Sequence, residues 1–149
     1  MNAIKIYKRL CKAWPKLGFE LGDTVGKDKC EFTATITAKN YFDDSVFVEG
    51  TIYASGSLHV FMTFDHIDPT LDVYDLINRF NENTSWAKAY IKHVSRKDGT
   101  VARYLALHYS IVSSKDDKEA CENLSFCFNN MLNDSVMKYL KPLTVLTYK

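Results

Sequence analysis

Between Glu31 and Phe64 the chain changes character at every second residue, and this alternation restricts its fold more than any other feature. Phe32, Ala34 and Ile36 alternate with Glu31, Thr33, Thr35 and Thr37. Val46, Val48, Gly50 and Ile52 alternate with Phe47, Glu49, Thr51 and Tyr53, and Leu58, Val60, Met62 and Phe64 repeat the pattern. Successive side chains of a strand point to opposite faces, so each segment reads as a strand with one apolar face. Ser55-Gly56-Ser57 turns the second strand into the third, and the polar stretch Asn40 to Ser45 links the first to the same antiparallel meander.

The signal returns in Trp86 to Val94 and Val101 to Val112, which flank Ser95 to Thr100 with its Asp98-Gly99 turn pair. This second hairpin brings the sheet to five strands. Three helices surround them. Ala3, Ile4, Tyr7, Leu10, Cys11 and Trp14 recur at helical spacing and end at Pro15 and Gly18. Asp68-Pro69 supplies a cap and first-turn proline for a helix turning Val73, Leu76, Ile77 and Phe80 inward, which Asn81 to Ser85 ends. Ser113 and Ser114, each followed three residues later by Asp, resemble a capping box for a final helix. Ala120, Cys121, Leu124, Cys127, Phe128, Met131 and Leu132 form its apolar face, Asn133-Asp134 is a point of interruption, and Pro142 stops it before the apolar tail Leu143 to Tyr148. The expected fold is α+β, in the order α-β-β-β-α-β-β-α over residues 1–149 as one domain. Its helices pack mainly on one sheet face.

A chain of 149 residues with 46% hydrophobic and 25% charged residues is of a size and composition to fill one core. Its 19 Lys and Arg against 18 Asp and Glu give a net charge of +1, so no global field favours nucleic acid or an anionic membrane. Cys11, Cys121 and Cys127 lie on apolar stripes and Cys30 stands apart. Dispersed cysteines of this kind suit a reducing compartment. With no signal-peptide pattern after Lys5, Lys8 and Arg9 and no long apolar run, the expected location is cytoplasmic, without a membrane.

The string DLINRFNENTSWAKAYIKHVSRKDGTVARYLALHY, Asp75 to Tyr109, resembles the signature stretch of the YbjN family, which shares its fold with type III secretion chaperones. Asn78, Asn81 and Asn83 end a helix that feeds a hairpin through Trp86 to Asp98-Gly99. The resemblance implies a homodimer with the second helix and second hairpin at or near its interface, and a non-catalytic role in holding or sensing another protein. It supplies no catalytic residue. Chaperones of that fold are typically acidic, whereas this chain is neutral with a basic first helix, so only the fold is carried over.

Two sets of residues are candidates for binding a protein partner. If Val46, Val48 and Ile52 face the helices, then Phe47, Tyr53 and Phe61 lie on the open face of the sheet, where aromatic side chains need an explanation. They are either cross-strand packing or an interaction surface. Tyr104 joins them under one parity of the last strand and is buried under the other. The second set is Lys5, Lys8, Arg9 and Lys12, continued by Lys16, on the outer stripe of the first helix. It is either a solvated face or a grip for acidic protein or phosphate.

No reaction chemistry is legible. His59, His66, His93 and His108 lack the close spacing of zinc ligands, and Asp65-His66 with Asp68 is the nearest approach, placed where a helix cap is expected. Asp43-Asp44 and Asp116-Asp117 read as a loop and a helix start, since neighbours on one segment do not converge on an atom. Gly18, Gly22 and Gly26 do not form a phosphate loop. The expectation is therefore no metal, no cofactor and no catalytic residue. The leading reading is a homodimeric adaptor or chaperone-like protein. The alternative is a small phage or mobile-element inhibitor, of anti-CRISPR or anti-defence type, that binds a nucleic-acid enzyme through its charged surface.

Overall fold

The computed structural model of the chain describes residues 1–36, 46–85, 87–111, 114–131 and 133–148. The elements in order are α1 (Ala3–Ala13), β1 (Glu20–Val25), β2 (Lys29–Ile36), β3 (Val46–Tyr53), β4 (Leu58–Ile67), α2 (Leu71–Asn83), β5 (Ala87–Ser95), β6 (Val101–Ile111), α3 (Asp117–Asn130), α4 (Asp134–Thr144) and β7 (Thr147–Tyr148). Among the described residues the fold is mixed α+β, with four helices and a wholly antiparallel sheet.

The strand path runs β1-β2-β3-β4-β6-β5, six strands where alternation predicts five, and β7 adds a short pairing to β4. Four strands precede α2 rather than three. The extra one, β1, is an edge strand whose residues are almost all exposed and whose pairing with β2 is interrupted between Leu21 and Val25. Without a buried face, a strand carries no apolar alternation. His66 pairs both Tyr104 of β6 and Tyr148 of β7, so β7 occupies the β3 side of β4 beyond the end of the β3 ladder.

The alternation is realised as expected in β2, β3 and the first half of β4. Cys30, Phe32, Ala34, Val48, Ile52, Leu58, Val60 and Met62 are buried in one core cluster, together with residues of all four helices. Phe32 lies against Tyr7 of α1, ring centroids 6.0 Å apart, and directly over Gly50 of β3, where any Cβ would collide with the ring. An extra residue in β4 between Thr63 and His66 shifts the register, and Ile67 returns to the core. On β6 the inward residues are Leu105, Leu107 and Tyr109, whose hydroxyl donates to the Met131 carbonyl at 2.6 Å and fixes the end of α3.

The hairpin turns form where predicted, with Gly56 and Gly99 both at φ +85°. The helix boundaries differ. Thr70, not Asp68, caps α2, its Oγ1 accepting from the Val73 amide at 3.2 Å. At α3 the cap is Asp116, which accepts from the Glu119 amide, while Glu119 Oε2 accepts from the Lys115 amide at 2.6 Å. These two bonds resemble the capping box that the sequence reading placed earlier, although Glu119 reaches the amide one residue before the cap. Ser114 instead is buried and donates to the Gly56 carbonyl. The predicted final helix is two helices, because Asn133 caps α4 by accepting from the Val136 amide at 3.0 Å. Pro142 lies inside α4 rather than ending it. It is exposed, where water can reach the carbonyl that its missing N–H leaves without a partner. The readings of Asn40 to Ser45, Asp43-Asp44, Trp86, Val112, Ser113 and Leu132 fall outside the described residues. Among the described residues, no helix is long and apolar enough to cross a membrane.

Candidate functional site on the open face of the sheet

The residues that alternate with the core all point away from it. β3 presents Phe47, Glu49, Thr51 and Tyr53, β4 presents His59, Phe61 and Thr63, and β6 presents Tyr104 and His108, while Ala102 and Ala106 at the same parity of β6 are buried. The helices pack on the other side, as the contact of Tyr7 of α1 with Phe32 and the hydrogen bond of Tyr109 to Met131 at the end of α3 show. What remains is a sheet face with no helix among the described elements over it.

At its centre three rings are stacked. Phe61 and His108 are direct cross-strand partners, with centroids 4.4 Å apart and planes within 4° of parallel. His59 stacks on the same array, 5.3 Å from His108 and 6.4 Å from Phe61. Tyr53 meets His59 edge-on at 5.8 Å. His59 Nδ1 and His108 Nε2 are 3.1 Å apart, so one ring donates its N–H to the lone pair of the other. Burial, followed by the charge that His59 would carry, holds the His108 pKa below its ordinary 6.5. Burial therefore favours the neutral form of His108.

Charged groups frame the array. Lys29 pairs with Glu31 at 3.0 Å and its ammonium stands 5.9 Å from the Tyr53 ring centroid. The hydrogen bond from Lys29 holds the Glu31 carboxyl below its usual range. Tyr90 of β5 is half-buried, and burial together with the Glu49 charge pushes its phenol up. At the far side His66 lies 4.2 Å from Tyr104, both half-buried. The open parity of Tyr104 resolves the alternative that alternation leaves between burial and display.

The structure thus brings Tyr53 and Phe61 together through His59. Phe47 shares their face but sits six residues from Tyr53 along β3, about 20 Å at the usual rise per residue, and is 51% exposed. Lys5, Lys8, Arg9 and Lys12 belong to the opposite side of the molecule. They are exposed on α1, whose inner residues Ala3, Ile6, Tyr7 and Leu10 are buried in the core cluster. The two candidate surfaces are separate.

Sequence reading weighed His59 and His108 separately and so missed their pairing. The parity of His59 was available, since it shares a face with Phe61. The register that sets His108 beside it was not. Asp65, His66 and Asp68 do not assemble with a further ligand: among the described residues, no group of three or more His, Cys, Asp or Glu side chains is placed to hold a metal ion. Cys11, Cys30, Cys121 and Cys127 are all free thiols. Cys30 and Cys127 are the fully buried ones, and burial pushes the Cys127 thiol up to about 11.

Both edges of the sheet are blunted. The Asn81 side chain reaches from α2 to β5, accepting from the Ala89 amide at 2.7 Å and donating to its carbonyl at 3.1 Å. It completes for one residue the ladder that an edge strand lacks. At the other edge β1 carries Glu20 and Asp23 and an irregular register.

Fold and site together define an α+β protein with one sheet face sealed by helices and an aromatic array displayed on the other. No family model, curated protein or solved structure matches the chain.

Proposed function

We propose that this protein is a non-catalytic binding module of adaptor or chaperone type that works as a homodimer and captures a segment of another protein on the open face of its sheet. The observation that carries this reading is the stacked array of His59, Phe61 and His108, extended by Tyr53, on a face left uncovered by the helices. Aromatic side chains bury large areas at low conformational cost and are enriched at the cores of protein interfaces. An extended segment lying between Tyr53 and Phe47 would span about 20 Å, about six residues of strand.

A dimer contact is supported by a different surface. Leu71 and Tyr74 of α2 are exposed, as are Val145 and Leu146 at the end of α4. Thr147 pairs with Ile67, shortly before Leu71, so these apolar side chains approach one corner of the molecule. It includes the helix that the YbjN-like resemblance places at the subunit contact. A non-catalytic role accords with the thiols, since burial raises the pKa of Cys30, Cys121 and Cys127 and so favours the protonated, unreactive form.

The test joins light scattering after gel filtration to affinity capture. The expected mass is twice the 17.1 kDa of the chain. Wild-type protein is expected to retain one discrete partner that a folded Phe47→Ser, Phe61→Ser variant loses. A monomer would remove the dimer from the proposal, and a partner retained by the variant would remove the open face.

A further inference from the structure

On the helical side, α1 and α3 enclose a second surface feature that the open face does not use. The two helices are locked together by Trp14, whose Nε1 donates to Ser125 Oγ at 2.9 Å and whose ring meets Phe128 at 6.4 Å. Beside this contact runs a groove of about 700 Å³. Its wall on α1 holds Arg9 and Lys12, and its wall on α3 holds Lys118 and Phe126. Ala13 and Cys121 contribute to its lining between them.

Two properties of this groove are unusual for a solvated helix face. Phe126 is 56% exposed, although α3 buries Ala120, Leu124, Cys127 and Phe128 on its inner side. An aromatic ring on the outer stripe is held out at a cost in exposed apolar area. The charge of the groove is also uneven. Arg9, Lys12 and Lys118 line the groove beside one carboxylate, Glu122, while Asp116 and Asp117 stand with Arg9 and Lys118 in the adjoining depression. Glu122 is engaged with Lys118 at 4.0 Å, whereas no ion pair is formed by Arg9 or Lys12 among the described residues.

We propose that the groove between α1 and α3 docks an acidic protein segment carrying an apolar anchor, which packs on Phe126 while flanking carboxylates meet Arg9 and Lys12. The pairing of an apolar site with cations on both walls selects this occupant. A carboxylate-rich segment satisfies the guanidinium of Arg9 by paired hydrogen bonds, and its apolar residue removes the exposed ring from water. A nucleic-acid backbone fits less well, because its phosphates and sugars carry no apolar side chain to cover Phe126. One exposed ring also makes a poor platform for successive bases. The surface is distinct from the open sheet face, so one can fail while the other stands.

The test is fluorescence polarisation with three labelled probes: a short synthetic peptide of glutamates around a central pair of leucines, the same peptide with serines for leucines, and a single-stranded oligothymidylate. The leucine peptide is expected to bind best and to weaken as salt is raised. Phe126→Ser and the double change Arg9→Glu, Lys12→Glu are each expected to weaken it by about tenfold or more. All three side chains are exposed, so the variants keep the fold, which circular dichroism checks. Phe47→Ser, Phe61→Ser is expected to bind this peptide as wild type does. Equal binding of the serine peptide, tighter binding of the oligothymidylate, or no change with Phe126→Ser would each overturn the proposal.

Discussion

The two faces of the sheet share every backbone hydrogen bond and differ only in side chains, yet they do opposite work. On the covered face Phe32, Val48, Met62, Leu105 and Leu107 are almost wholly excluded from water and meet the helices in one cluster. There, stability rises with apolar area removed from water and with close fit, and small changes of volume are felt. On the open face Phe61, His59, His108 and Tyr53 touch one another rather than a second layer, and each remains half-exposed. Ring stacking there adds about 0.5–1.5 kcal/mol per pair beyond area burial. Substitution on the first face should therefore unfold the protein, and substitution on the second should alter what it binds.

The sharpest way to break this comparison is at the Phe32–Gly50 contact. Phe32→Ala is expected to lose about 3–5 kcal/mol in urea denaturation, the usual cost of emptying a core aromatic site. Gly50→Ala forces the ring aside and is expected to cost about 1–3 kcal/mol. In the double variant the added methyl meets no ring, so its cost should shrink. Strict additivity of the two changes would show that the ring does not occupy the space over Gly50.

A smaller effect is expected from the His59–His108 pair. Its direction follows from the lowered His108 pKa. The unfolded chain, with an imidazole near 6.5, takes up a proton at higher pH than the fold does. The contribution of His108 is therefore fully present above 6.5 and is lost as pH falls through 6.5 toward the folded value. Melting temperature measured from neutral to mildly acid pH should fall more in the wild type than in His108→Gln. Parallel slopes for the two proteins would remove His108 as the cause.

The smallest change in stability belongs to Phe47→Ser alone, within about 0.5 kcal/mol by thermal melting, because half of that ring is already in water. The same substitution should weaken partner capture. A large loss of stability would mean that Phe47 is packed like a covered-face residue and would erase the distinction between the faces.

Much of the fold was legible because it rests on local chemistry. Alternation in β2 and β3 set which side of each strand is buried, and Asp98-Gly99 and Ser55-Gly56-Ser57 marked turns that form as read. β1 was not legible, since Glu20, Leu21, Asp23, Thr24 and Val25 are all exposed and bury no stripe that a pattern could reveal. The break between α3 and α4 could be read from Asn133, which belongs to the residue types that cap helices. Ile6 is fully buried yet lay outside the stripe assigned to α1, because that helix faces both the sheet and α3 and so buries a broader arc. Of the site, Phe47, Tyr53 and Phe61 were placed on the open face by parity alone, while Tyr90 and His108 were not.

The sequence by itself determined the local elements, their apolar faces and the sign of the outer stripe of α1, since each depends on residues only a few positions apart. Tertiary structure decided that β6, not β5, lies against β4, and with it that His108 comes to rest on Phe61 and within 3.1 Å of His59, 49 residues away in the chain. Strand order and register between distant segments are settled by how the whole core packs, and a one-residue slip would have turned His108 inward and Tyr109 to the open face.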